Sequence, residues 1–284
     1  GYFVNLQEDN SGSNYALSGK IVTPILINSN SGDGTTDATS ALFNAESAVG
    51  SKGSILLSNG TFFIQSNITL NALLIFQGAK LKPDSGVIVT LNQVPHASPT
   101  EIFDLSAGGE VKISSSAPGT VEADWFGLSS SYSLGTDVAK PLQALFDASK
   151  NKIVRFNYKA NFTFRTRLIV RQNTTFDNQA RAIFEADLDL SNTSNPALKF
   201  EQQCDGNFLQ INIPSGKQHQ RTVVFGLENQ FDTVYIKSVD QQSTVNDSID
   251  ALVQIRGNYI SLGRLVVENA DHAITAFDCN YILV

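Results

Sequence analysis

Four charged residues, Asp205, Glu228, Arg256 and Asp278, fall at nearly the same distance before four asparagines that recur through the last third of the chain. If these asparagines mark successive layers of stacked strands, neighbours in the charged column lie about 4.8 Å apart. Asp205 and Glu228 would then stand near the roughly 5 Å carboxyl separation of retaining glycosidases, and Glu228 and Asp278 near the upper end of the inverting range of about 6.5–9.5 Å. Cleaving a glycosidic bond needs such a pair, one carboxyl protonated to assist the leaving oxygen and one ionised. The competing expectation is that these residues border an exposed turn and simply face water.

Arg256, Arg264 and Tyr259 are the substrate-binding candidates of the same region. Arg256 beside Asp278 also fits the arginine base of a polysaccharide lyase, and Glu268, Asp271 and His272 form a second polar cluster near Arg264. Tyr235, Tyr259 and Tyr281 offer faces for sugar stacking, but an aromatic that follows a recurring asparagine fits an interior stack better, and the stack is the expectation. No Asp-x-Asp-x-Asp loop is present, so neither a metal nor another cofactor is expected. Cys204 and Cys279 would stand about three layers, some ~14 Å, apart and should be free thiols.

These residues are positioned by a repeat. Asn207-Phe208, Asn229-Gln230-Phe231, Asn258-Tyr259 and Asn280-Tyr281 are spaced by 22, 29 and 22 residues, and an apolar strand precedes each one, at 197–200, 222–225, 252–255 and 273–277. Asparagine accepts the left-handed backbone of a tight turn, and like side chains stacked layer upon layer can hydrogen-bond along the axis. An asparagine ladder is the expectation. A single layer cannot bury its own Phe, Ile and Val, so stability must come from stacking on its neighbours.

A longer repeat lies upstream. Gly34-Thr35-Thr36-Asp37, the helical Ala41-Leu42-Phe43-Asn44-Ala45 and the apolar Phe62, Ile64, Ile68, Leu70 and Phe76 are answered by Gly135-Thr136-Asp137, Ala144-Leu145-Phe146-Asp147-Ala148 and Phe162, Phe164, Leu168, Val170 and Phe176. Helices are predicted near 39–49 and 138–149, each capping the open end of a stack of strands, whose exposed edge would otherwise invite aggregation. Short strands are predicted at 55–57, 62–64, 68–70, 73–76, 79–81, 87–91 and 111–113, bounded by Gly, Asn or Ser. The expected fold class is all-β, a right-handed parallel β-helix or solenoid. Its expected divisions are an N-terminal arm or linker at 1–31, a first β-helix-like domain at 32–123, and a main β-helix at 124–284 that continues beyond the last residue.

Composition limits the partners. The net charge is −7 and Lys and Arg are scattered singly, which makes a phosphate backbone a poor ligand. No apolar run approaches the roughly 18 residues that cross a bilayer, so neither nucleic acid nor membrane insertion is expected. The absence of methionine and a first residue of Gly suggest a piece of a longer gene product.

The segments 32–39, 60–64 and 78–81, followed by Val121-Glu122-Ala123-Asp124-Trp125-Phe126-Gly127-Leu128, resemble the start of the pectate-lyase-like parallel β-helix of bacteriophage tailspikes and capsule depolymerases. The resemblance covers residues 32–187. It implies a homotrimeric protein of the virion tail, assembled in the host cytoplasm, that joins other tail or baseplate proteins and binds, and often degrades, bacterial capsular or O-antigen polysaccharide. The alternatives are a secreted bacterial polysaccharide lyase or hydrolase and a non-enzymatic adhesin fibre.

Overall fold

The computed structural model describes residues 32–129, 135–190, 195–219, 221–242, 252–256, 259–270, 274–277 and 282–283. The expected arm at 1–31 and the residues Asp271, His272, Asp278, Cys279, Asn258, Asn280 and Tyr281 lie outside them. Among the described residues the chain is mostly β, with two α-helices, and every strand pairing is parallel. Parallel neighbours cannot be joined by hairpins, so each strand pairs with one a full layer later.

The second half shows three strand columns. One is a five-stranded sheet of Leu168–Val170, Leu198–Phe200, Val223–Phe225, Val253–Arg256 and Ile274–Phe277. Its register runs Leu168, Leu198, Val223, Val253, Ile274, in steps of 30, 25, 30 and 21 residues. The other two columns belong to one ten-stranded sheet. Ile153–Arg155, Thr175–Asp177 and the starts of Asp205–Ile213 and Gln230–Gln242 form one, and Asn161–Phe164, Ile183–Ala186, the later parts of those long strands and Leu265–Ala270 form the other.

Alternation decides what turns inward. In the five-stranded sheet Leu198, Phe200, Val223, Phe225, Val253 and Ile255 are buried, and the residues between them project from the opposite face. Register places Phe225 on Phe200, and their rings stack at 5.3 Å with 16° between planes. Fully burying one such ring contributes roughly 1.5–3 kcal/mol.

The first half follows the same rules. Strand pairs predicted at 55–57 and 62–64, and at 73–76 and 79–81, each run together as Ser54–Ile64 and Leu73–Pro83. These two strands pair along their length and join Asp33–Asp37 in one sheet, while Ile68–Leu70, Ile88–Leu91 and Glu110–Ile113 form another. The helices are α1 (Thr39–Val49) and α2 (Ala139–Ala148).

α2 does not close an end, as a cap would. It packs between Glu110–Ile113 and Leu168–Val170 and so takes the place of a strand between two sheets. Its Gln143 side chain accepts from the Ile169 N–H at 2.9 Å and donates to the Ile169 carbonyl at 3.1 Å, satisfying a strand edge that has no strand beside it. α1 does similar work through Glu46, which accepts from the Asn71 N–H at 2.8 Å.

Candidate functional site

Among the described residues Asp205, Glu228 and Arg256 do not share one column, and Asp278 lies outside them. Asp205 pairs with Gln230, and Asn207 stands between the pairs Gly206–Phe231 and Phe208–Thr233, opposite Asp232 rather than Asn229. The reason is the interior. Phe231 packs where Gly206 carries no side chain, since a Cβ there would lie 2.6 Å from the Phe231 ring. That fit sets a register which counting back from asparagines misses.

Glu228 instead occupies a left-handed turn position, φ 57°, that Gln203 and Tyr259 share at φ 58° and 60° in the adjacent layers. It accepts from Gln203 Nε2 at 2.8 Å. Asp205 accepts from Thr175 Oγ1 at 2.9 Å, and both acids are exposed. Tyr259 is 60 % exposed, so the interior stack expected for it is corrected: a left-handed turn aims its side chain outward. Phe231, by contrast, is in the core. Arg256 ends a strand of the five-stranded sheet, away from Asp205.

Arg264 is exposed, and its carbonyl accepts from the Val234 N–H at 2.8 Å. Near it Glu268 accepts from the Tyr235 hydroxyl and lies 3.6 Å from Lys237 Nζ. The hydrogen bond to the carboxylate pushes the Tyr235 pKa up, since it favours the protonated phenol. Glu268 thus joins Tyr235 and Lys237, and its expected partners Asp271 and His272 lie outside the described residues.

A different constellation comes together on the outer face of the five-stranded sheet. Arg171 Nε donates to Asp147 Oδ1 of α2 at 2.7 Å, and its Nη1 donates to Glu201 Oε1 at 3.3 Å. On one side of this network lies a groove of about 990 Å³ between α2 and the first-half strands, walled by Lys112, Lys140, Gln143 and Lys150. On the other lies a groove of about 560 Å³ walled by Lys199, Arg221, Leu227, Gln254 and Arg256. Gln172 and Glu201 border both, so the two grooves follow one another along the stack. Of the predicted residues only Arg256 lies here.

No protein-family model, curated protein or solved structure matches this chain.

A second polar network sits on the ten-stranded sheet. Asn157 Nδ2 donates to Glu122 Oε2 at 2.9 Å and to Asp124 Oδ2 at 2.7 Å, while Arg155 pairs with Asp177 at 2.9 Å and Glu122 at 3.4 Å. Asp124 is buried, and desolvation raises its carboxyl pKa. Each acid already has a protein partner, so the network ties the 3₁₀ turn Ala123–Phe126 to the next layer. Among the described residues no cluster of His, Cys, Asp and Glu is arranged to hold a metal ion. Cys204 is a free, buried thiol whose Sγ donates to the Arg171 carbonyl at 3.1 Å, and burial pushes its pKa up to about 12.

Proposed function

We propose that this chain is the right-handed parallel β-helix of a bacteriophage tailspike, which binds bacterial capsular or O-antigen polysaccharide during host attachment. The handedness follows from the strong preference of parallel crossovers for the right-handed sense. Support for the fold comes from the three parallel columns and a left-handed residue at one corner of successive layers. The observation that carries the function is the pair of successive grooves along one outer sheet face, walled by charged and amide side chains. Two grooves in succession give an extended track along which the hydroxyls of a linear polymer can meet side-chain donors and acceptors.

In this reading the chain is a homotrimer, it joins other tail proteins, and the expected domains at 32–123 and 124–284 are parts of one shaft. The test is to incubate it with purified capsules and O-antigens from a panel of bacteria, following retention on the polysaccharide, new reducing ends and unsaturated-uronate absorbance. Retention with trimer mass in light scattering supports the proposal; a monomer that retains no polysaccharide overturns it. Glu228, which accepts from Gln203 at the corner beside Leu227 and is not itself a wall of the second groove, is the acid proposed to take part in cleavage. Glu228→Gln should abolish depolymerisation with an unchanged melting temperature, and full activity would remove Glu228 from that role.

A further inference from the structure

The second groove holds a polar side chain that nothing among the described residues satisfies. Gln254 lies between Val253 and Ile255, both in the core, so its side chain projects from the outer face of the sheet, where the groove lies. It is 0 % exposed, yet among the described residues neither its Nε2 nor its Oε1 has a hydrogen-bond partner. An unpaired buried amide costs about 1–3 kcal/mol, and a ligand supplying both an acceptor and a donor would remove that penalty.

The surroundings specify the ligand's charge. Among the described residues Lys199 and Arg256 are the exposed cations of the groove, Arg221 is a buried one, and the acid is Glu201. Glu201 is already matched, through its ion pair with Arg171 and the Gln172 N–H donating to it at 3.0 Å. The groove is therefore locally cationic in a chain of net charge −7. Gly226 sits between Glu201 and Arg256 in the strand-end column of successive layers, where the backbones approach closely. A Cβ there would come within 3.0 Å of the Phe200 carbonyl oxygen.

We infer that this groove is a subsite for a carboxylate-bearing sugar, its anion facing Arg256 and Lys199 and its polar groups meeting the Gln254 amide. The inference rests on the proposed polysaccharide reading and deepens it by naming an acidic glycan. Arginine and lysine recognise a carboxylate by charge-assisted hydrogen bonds, while the amide adds a donor for the anion and an acceptor for a hydroxyl.

The test compares hyaluronan oligosaccharides with the same oligosaccharides after reduction of their carboxyl groups, by titration calorimetry on the full chain. The acidic form should bind about tenfold tighter or more, which is the size of one charge-assisted hydrogen bond. Arg256→Ala should weaken the acidic form by about tenfold and leave the neutral form unaffected, whereas Gln254→Leu should weaken both forms, since its amide also accepts from a hydroxyl. Arg256 is exposed, so its variant keeps the test decisive if Gln254→Leu fails to fold. Equal affinity for the two forms, or unchanged binding in the variants, overturns the inference while the polysaccharide reading stands. Failure of both forms and of every bacterial polysaccharide in the panel overturns both.

Discussion

At Asn151, Asn173, Gln203, Glu228 and Tyr259 the backbone turns left-handed, each time two residues before a strand position that pairs with its counterpart in the next layer. Side chains at this corner interact along the stack: Asn173 Nδ2 donates to Asn151 Oδ1 at 2.8 Å, as Gln203 does to Glu228. A ladder of amides in left-handed turns was legible as a mechanism, but not its members. Asn229, which is buried, lies one residue past the left-handed position and accepts from the Cys204 N–H at 2.7 Å. His219 shows a residue-scale consequence that only burial creates. Its Nε2 lies 2.8 Å from the Leu188 carbonyl and its Nδ1 3.2 Å from Thr222 Oγ1, and desolvation holds its pKa down at about 4 against an ordinary 6.5. The unfolded chain therefore takes up a proton as pH falls through 6.5, whereas the folded chain resists until about 4. The stability present above pH 6.5 is lost progressively across this window, by about 3 kcal/mol for the full shift. Urea midpoints measured from pH 7 to pH 4 should fall more steeply for the wild type than for His219→Gln; parallel curves would contradict this.

Among the elements, the clearest repeat is a carboxylate clamp. Asp37 Oδ1 accepts from the Thr39 N–H at 2.9 Å and the Gln65 N–H at 3.2 Å; Asp137 Oδ1 accepts from Ala139 at 3.0 Å and Arg165 at 3.2 Å. Each clamp ties a helix start to the end of a strand, exactly one hundred residues apart being unnecessary to the chemistry but visible in the matching positions. The strands Phe62 to Phe76 and Phe162 to Phe176 keep that same offset, and both helices lie within a residue of the expected 39–49 and 138–149 because N-cap residues and helical spacing mark them locally. The pentapeptides Ala41-Leu42-Phe43-Asn44-Ala45 and Ala144-Leu145-Phe146-Asp147-Ala148 are displaced by three residues from it, and the displacement matters: Phe43 is 61 % exposed and Phe146 fully buried. A shared string is not a shared face when the helix repeats every 3.6 residues. Register at Gly206 is set by the same kind of fit. A Cβ there would lie 2.6 Å from the Phe231 ring and 2.9 Å from Phe176 Cβ, so Gly206→Ala should destabilise by about 1–3 kcal/mol in denaturant titration. An unchanged midpoint would show that the aromatic stack yields at no cost.

Across the whole molecule one hydrophobic core runs from Ala38 to Leu262 among the described residues. It passes the expected boundary at 123 without a break, since Val121, Ala123 and Trp125 all belong to it. Backbone bonds cross there too: the Ile102 and Phe103 N–H groups donate to the Trp125 carbonyl, and Thr120–Glu122 pairs with Ile153–Arg155. Calorimetry should accordingly show a single unfolding transition for these regions, because neither can lose its core without exposing the other's. Two separated transitions would mean that residues before and after 123 unfold independently.

By itself the sequence determined the strand content, the placing of two helices and the strand segments, because alternation and helical spacing are local properties that each short stretch carries. Tertiary structure alone decided the register and the grooves. Pairing joins residues 19 to 33 positions apart, and the fit of Phe231 against Gly206 chooses among registers that look equivalent along the chain. For the same reason Gln254, an ordinary outward residue between two apolar ones, shows its unsatisfied amide only once the layers are stacked.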